Sequence, residues 1–150
     1  MQNLLKQETV ELSELYDAME KDGIEVCRFE LPRARAVSLM DNGGRCFIGL
    51  DNTVRQTEAE ERTMLLHELG HCKTGAFYNA ASPFSVVGKC EKKADEWAIV
   101  TFLPLCKLKA AYSSGLCTGF ELAEHFGVSE QFIAKAIEYY LQRGDRIGAY

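Results

Sequence analysis

The sequence has no apolar run that approaches the roughly 20 residues needed to cross a bilayer as a helix. It also lacks an excess of positive charge, since 17 Lys and Arg stand against 22 Asp and Glu and give a net charge of -5. Phosphate backbones and anionic lipid repel a negative protein, so we expect neither direct nucleic-acid binding nor membrane binding. The first residues, MQNLLKQETVEL, show no basic stretch followed by an apolar one, which makes a cytoplasmic location the expectation.

Paired cysteines of the CxxC kind are also missing, although the chain contains six cysteines. Without that spacing, the sequence favours neither a cysteine-rich zinc module nor a dithiol redox site. A chain of 150 residues is large enough to build its own apolar core without disulfides. We therefore predict that all six thiols are reduced. They are Cys27, Cys46, Cys72, Cys90, Cys106 and Cys117.

The first third of the chain predicts one helix followed by three strands. Apolar residues recur at helical spacing within residues 7–22, and Gly23 follows as a natural C-terminal stop. Three short segments, residues 24–31, 34–41 and 45–50, are separated by turn-forming residues. We expect these segments to form a small three-stranded antiparallel sheet.

The rest of the chain predicts helices, which makes the fold class α+β. Thr57 and Glu60 form a T-x-x-E capping box ahead of the second helix, EAEERTMLLHELGHCK. Residues 74–89 show no sustained period, which predicts a long loop. A third helix is predicted from Cys90 to about Leu103, and two short helices from Gly119 onward.

The pentapeptide HELGH is the strongest chemical signal in the sequence. His67 and His71 are four residues apart, so on a helix both imidazoles project from one face and can share a tetrahedral metal. Glu68 falls beside that metal, where it can accept a proton from water as a general base. The sequence therefore predicts a catalytic zinc site.

A simpler interpretation of HELGH is that the two histidines line the polar face of an amphipathic helix. Gly70 argues against it, since glycine costs about 1 kcal/mol relative to alanine inside a helix. A glycine there is easier to understand if something must approach the helix backbone closely.

A catalytic zinc needs a third protein ligand, and Glu91 is the best candidate. It lies twenty residues after the second histidine, in CEKKADEWA, where a carboxylate at a helix start can point across to the neighbouring helix that carries the histidines. Asp95, one turn further on, can accept the free ring N–H of a ligating histidine. Glu96, Cys90 and Cys72 remain open alternatives for the third ligand.

Three weaker possibilities are open at this stage. Cysteine ligation at Cys72 or Cys90 would close the metal site and leave no room for water. His125 or Tyr78 could stabilise a developing oxyanion. Isolated residues of these types are more often packed or solvated, so we include neither in the predicted site.

HELGH followed by EKKADEWAIVTFLP resembles the ImmA/IrrE family of metallopeptidases, and the similarity covers roughly residues 24–142. In that family the HExxH helix precedes an E-x-E-A-N-x-F-A-like helix that ends near a proline. Glu91, the alanines and Pro104 match this pattern. Lys93 replaces the second glutamate and Asp95 replaces the usual asparagine, which leaves Glu91 as the third ligand consistent with the family.

The resemblance implies a zinc-dependent endopeptidase with a zincin-like helical core, in which His67, His71 and Glu91 bind Zn²⁺ and Glu68 is catalytic. We expect residues 1–150 to form a single metallopeptidase domain. Its expected parts are an N-terminal helix in residues 1–23, strands in 24–56, zinc-binding helices in 57–106 and C-terminal helices in 107–150.

The family resemblance also implies a protein substrate, namely a helix-turn-helix transcriptional repressor of a mobile element, a phage or a stress response. The C-terminal helices superficially suggest a DNA reader themselves. From residue 115 onward, however, three basic residues stand against five acidic ones, so direct DNA binding is not expected. The alternative is a non-proteolytic zinc-dependent regulator that binds a repressor or another partner without cutting it.

Overall fold

The structure is a computed structural model that describes residues 9–148. Helices and strands follow one another along this part of the chain in an α+β arrangement, as predicted. The elements are α1 (Leu12–Lys21), β1 (Glu25–Phe29), β2 (Ala36–Met40), β3 (Cys46–Asp51), α2 (Glu58–Thr74), α3 (Phe84–Phe102), α4 (Leu105–Ser113), α5 (Gly119–Phe126) and α6 (Glu130–Gln142).

The sheet is mixed, so the prediction of a purely antiparallel sheet is wrong. Strand β3 lies between the other two, parallel to β1 and antiparallel to β2. The reason is that β3, with the sequence CFIGLD, is almost entirely buried, whereas β1 and β2 are largely exposed or half-buried. A buried apolar strand is best placed at the centre, which separates β1 from its sequence neighbour β2.

Two of the six cysteines form a disulfide, so the prediction of reduced thiols is wrong for Cys46 and Cys72. The bridge joins β3 to α2 over a Cα–Cα distance of 5.8 Å. The two residues are 26 positions apart in the sequence, and only the packing of the sheet on α2 brings them together. The other four cysteines are not part of a disulfide.

The capping box of α2 forms as predicted. The Glu60 amide donates to Thr57 Oγ1 at 3.2 Å, and the Thr57 amide donates to Glu60 Oε2 at 2.9 Å. At the other end, Gly75 adopts a left-handed conformation with φ of 67° and stops the helix. The bounds of the helix that carries HELGH are therefore set by local signals at both ends.

Other helix bounds differ from the predictions. Helix α1 starts at Leu12 rather than at residue 7, and residues 7 and 8 lie outside the described part. Helix α3 starts at Phe84, six residues before the predicted start, so the loop ahead of it covers only residues 75–83. Helix α4 was not predicted.

Helices α2 and α3 pack closely because Gly70 has no side chain. A methyl group at this position would lie only 2.4 Å from the backbone oxygen of Ala94 on α3. On another face of α2, Leu65, Leu66 and Leu69 are buried in the core. The close backbone approach expected at Gly70 is present. It brings the turns of α3 on either side of Ala94 near the histidines.

Helices α5 and α6 form the predicted C-terminal pair, with a break at Gly127, whose φ is 62°. They are tied to α2, where the Ser129 amide donates to Thr63 Oγ1 at 2.9 Å and the Arg62 guanidinium donates to the Gly127 carbonyl. The N-terminal half of α6 thereby lies against the metal-site region of α2. Within residues 9–148, no helix is long and apolar enough to cross a membrane.

Candidate metal centre

Three side chains converge on one point between α2 and α3. The Nε2 atoms of His67 and His71 are 3.1 Å apart. Carboxylate oxygens of Glu91 lie 3.1 Å from the first Nε2 and 3.2 Å from the second. In the part of the chain that the structure describes, these three residues form the group of His, Cys, Asp and Glu side chains that could hold a metal ion.

The size of this donor triangle suits a tetrahedral metal. Zinc bonds to nitrogen and oxygen are about 2.0–2.1 Å long, which separates the ligand atoms of a tetrahedral site by about 3.3 Å. The observed separations of 3.1 to 3.2 Å are close to that value. Three ligands leave the fourth tetrahedral corner for water or substrate, so the residues present fit a catalytic rather than a closed site.

His67 is held from behind by a carboxylate. Its Nδ1 lies 2.7 Å from Asp95 Oδ1, and Lys135 Nζ on α6 donates to Asp95 Oδ2 at 2.8 Å. Burial lowers the pKa of His67, but hydrogen bonding to Asp95 and the nearby carboxylates outweigh burial and raise this pKa above its usual 6.5. In turn, burial raises the pKa of Asp95, and the His67 and Lys135 contacts outweigh it and lower this pKa.

His71 is held by the backbone instead. Its Nδ1 lies 2.6 Å from the carbonyl oxygen of Ala76, just after the helix end. A carbonyl can only accept a hydrogen bond, so the proton must be on Nδ1 and the lone pair on Nε2. This is the tautomer that a metal ligand needs, and the His71 ring is almost fully buried.

Glu91 has a phenol partner. Tyr78, in the loop before α3, donates its hydroxyl to Glu91 Oε1 at 2.6 Å. This hydrogen bond and partial burial raise the pKa of Tyr78 to about 12, so the hydroxyl stays protonated near neutral pH. Tyr78 was a weak candidate for the oxyanion role, and the structure places it against the third donor of the cluster.

Two clefts open on either side of the donor triangle, and we name each by the element that lines its outer wall. The α6-side cleft, of about 290 Å³, contains His67 in its wall, whereas the loop-side cleft, of about 460 Å³, contains His71 and Tyr78. Glu68 lines both clefts and is 8 % exposed. Because Glu68 faces both clefts, its carboxylate can contact a substrate that extends from one cleft to the other past the donor triangle.

The alternative third ligands lie outside the cluster. Cys72 is bound to Cys46 in the disulfide. Cys90 donates its thiol to the carbonyl oxygen of Phe77 at 3.6 Å. Glu96 pairs with Lys92 at 3.8 Å on the exposed face of α3. The closed His/Cys site is therefore not what the described residues form.

Sequence reasoning missed two groups near the metal centre, and a third residue that it left out lies elsewhere. Lys135 carried no signal, because its contact with Asp95 spans 40 residues. The Ala76 carbonyl is a backbone group that every residue possesses. His125 lies on α5 with its ring against Phe126 and lines neither cleft.

Two imidazoles from one helical turn, a carboxylate from the next helix and a buried glutamate beside them define the kind of centre found in metal-dependent hydrolases. The sequence pattern of the IrrE N-terminal-like domain, Peptidase M78, matches residues 19–138, and the chain belongs to this family. Membership of a peptidase family indicates a metallopeptidase-like fold and a metal site. Comparisons with curated proteins and with solved structures gave no match.

Proposed function

We propose that the protein is a zinc-dependent endopeptidase that hydrolyses a peptide bond in a protein substrate. The observation that carries the proposal is the donor triangle of His67, His71 and Glu91 with Glu68 beside it. A structural zinc site would need four protein ligands. The described residues offer three, and the carboxylate of Glu68 beside them is the group that a hydrolytic reaction needs as a general base.

Each residue has a distinct task in this proposal. His67, His71 and Glu91 would hold the ion. A bound Zn²⁺ would supply Lewis-acid chemistry, since it makes a water acidic near neutral pH and polarises a carbonyl. The carboxylate of Glu68 accepts the proton of the attacking water and passes it to the amine nitrogen that leaves.

The edge of the sheet offers a binding surface for an extended peptide. Among residues 9–148, strand β2 pairs with β3 alone, and its residues Ala36, Val37 and Ser38 line the loop-side cleft. Ala36 also lines the α6-side cleft. A peptide that adds to this edge through backbone hydrogen bonds would pass across Glu68, with side chains entering both clefts.

As the specific substrate we propose a helix-turn-helix repressor. The support for it is the ImmA/IrrE resemblance, together with family membership over residues 19–138. A repressor acts in the cytoplasm, so the proposal includes a cytoplasmic location. The net charge of -5 supports a protein partner rather than direct contact with nucleic acid.

Glu68→Gln tests the proposed reaction most directly. Removing the general base should lower cleavage by about 10²- to 10⁴-fold, while the donor triangle keeps its metal. The assay is mass spectrometry of a proteome-derived peptide library incubated with the Zn²⁺-loaded protein, and metal content is measured in parallel. Undiminished cleavage by Glu68→Gln would contradict the proposal.

A second assay separates the repressor substrate from the general activity. The helix-turn-helix repressor encoded nearest to this chain is incubated with it, with and without a chelator, and its intact mass is measured. Metal-dependent fragments support the repressor as substrate. Cleavage of library peptides alone rejects that substrate and keeps the peptidase, whereas an intact complex without cleavage of either favours the non-proteolytic regulator.

A further inference from the structure

A chain of contacts connects the C-terminal helix to the proposed metal centre. Lys135 Nζ on α6 donates to Asp95 Oδ2 on α3 at 2.8 Å. The other oxygen of the same carboxylate, Oδ1, lies 2.7 Å from Nδ1 of His67 on α2. Each carboxylate oxygen thus has its own partner, and the contacts pass through three helices.

We propose that Lys135 is a positioning residue for the metal centre and acts on it through Asp95. The ammonium group fixes one oxygen of the carboxylate and so aims the other at the His67 ring. Held in this way, the ring keeps its proton on Nδ1 and turns Nε2 towards the donor triangle. The inference rests on the proposed metal site but not on the proposed peptidase reaction.

The contact does more than an ordinary surface ion pair would do. Exposed ion pairs contribute little to stability, and the Lys135 side chain is 48 % exposed, so folding gains little from it. Its acceptor is only 24 % exposed and bonds a proposed ligand directly. Removing a partner of a metal-binding histidine typically alters metal affinity by 10- to 100-fold, so metal binding is the property in which a role of this contact should appear.

The position of Lys135 on the chain extends the metal centre into α6. The lysine lines the α6-side cleft together with Phe132 and Gln131 of the same helix. The start of this helix is fixed to α2 by the hydrogen bond from the Ser129 amide to Thr63 Oγ1. The C-terminal helix pair is therefore a wall of the site and a support for one of its ligands.

The same surface provides a matched control. Lys92 is a lysine on α3 that pairs with Glu96 at 3.8 Å, and its side chain is 71 % exposed. Lys92→Met removes the same charge as Lys135→Met without touching Asp95. Zn²⁺ affinity is measured for both variants by competition with a chromophoric chelator, and far-UV circular dichroism checks that each is folded.

We expect Lys135→Met to weaken Zn²⁺ binding about tenfold and Lys92→Met to leave it unchanged. Lys135→Arg, which keeps a donor and a charge, should stay within about twofold of the wild type. Asp95→Asn alone should weaken binding by 10- to 100-fold. Adding Lys135→Met to Asp95→Asn should then cost nothing further, because the lysine acts only through that carboxylate.

Three outcomes would overturn the inference. The first is wild-type affinity in Lys135→Met, and the second is a full additional loss when both changes are combined. The third is equal losses in Lys135→Met and Lys135→Arg, which would indicate a packing defect. If the wild-type protein itself bound no Zn²⁺, the proposed metal centre would fail, and that result is distinct from the other three.

Discussion

The two histidines of the HELGH helix occupy one helical turn but are supported in opposite ways. Behind His67 lies a side-chain relay through Asp95 and Lys135, built from three helices and partly open to solvent. Behind His71 lies a buried carbonyl oxygen, that of Ala76, five residues further along the same chain. One support depends on how helices pack, and the other on how one helix ends.

This difference predicts that the two supports respond differently to damage. The Ala76 carbonyl follows from the turn at Gly75, whose amide donates to the His71 carbonyl at 2.9 Å. It should survive any change that merely shifts α3. The Asp95 support and the Glu91 donor both lie on α3, so a shift of that helix removes them together.

Gly70→Ala should have the largest effect, because it should disturb the support of His67 on α3 while it spares the Ala76 carbonyl that supports His71. The added methyl would meet the Ala94 backbone oxygen at 2.4 Å, and backbone cannot rotate aside. Overpacking of this kind costs about 1–3 kcal/mol, against a gain of about 1 kcal/mol in helix propensity. The displaced α3 should also weaken Zn²⁺ binding at least tenfold and lower cleavage about 10²-fold.

The measurements for Gly70→Ala are urea unfolding of the metal-free protein and the chelator competition already described. Gly88→Ala is the matched control, since it lies in the same helix pair and its methyl would have no atom within 4 Å. It should be neutral or stabilising by about 0.5–1 kcal/mol. A Gly70→Ala protein as stable and as tight for Zn²⁺ as the wild type would show that α3 adapts without cost.

A smaller effect should appear in the pH dependence of the metal-free protein. The pKa of Asp95 is lowered from 3.8, so its contribution is present above that pH and is lost as the pH falls through the folded value. The pKa of His67 is raised from 6.5, so its contribution is present below that pH and is lost as the pH rises through the folded value. The pair therefore contributes most between about pH 4 and 6.5.

The test compares the free energy of unfolding of the wild type and Asp95→Asn across this range, with chelator present. The difference should be on the order of 1 kcal/mol inside the window and should decline towards pH 8. Asp22→Asn is the control, because Asp22 forms its ion pair with a lysine, Lys73, at 2.7 Å rather than with a histidine. A difference for Asp95→Asn that is the same at pH 5 and pH 8 would mean that the His67 contact stabilises nothing.

The sequence predicted what local geometry determines. The spacing of His67 and His71 places both on one helical face, and the Thr57–Glu60 box locates the start of that helix. Asp95 could be expected beside His67 because it lies one turn after Glu91. The structure brings these groups together, while their roles as ligands and partners stay predictions.

Features that depend on contacts between distant segments escaped prediction. The parallel pairing of β1 with β3 follows from the order of the strands in the sheet, and the disulfide of Cys46 with Cys72 follows from the packing of the sheet on α2. The early start of α3 was hidden by the weak helix propensities of Ser85 and Gly88. In the sequence Lys135 resembles any surface lysine, and its contact with Asp95 appears only when α6 is packed beside α3 in the structure.

The smallest effect should come from Tyr78→Phe. This change removes a hydrogen bond to Glu91 and leaves the partners of both histidines in place, so it tests the support of the third donor by itself. Tyr78 belongs to the loop on the His71 side, yet it donates to Glu91 Oε1 at 2.6 Å. The ring is 44 % exposed, so water can replace the lost hydroxyl and the net loss should be about 1 kcal/mol or less. We therefore expect Zn²⁺ affinity to fall about two- to fivefold, with the stability of the metal-free protein unchanged. Tyr139→Phe removes a hydroxyl that accepts from Arg143 Nη1 at 3.2 Å and lines neither of the two clefts beside the donor triangle, so it should leave the affinity unaltered. If Tyr78→Phe lowered Zn²⁺ affinity as much as Asp95→Asn does, Glu91 would depend on its hydrogen-bond partner as strongly as His67 does. The contrast between the supports of the two histidines would then not be what distinguishes the two sides of the site.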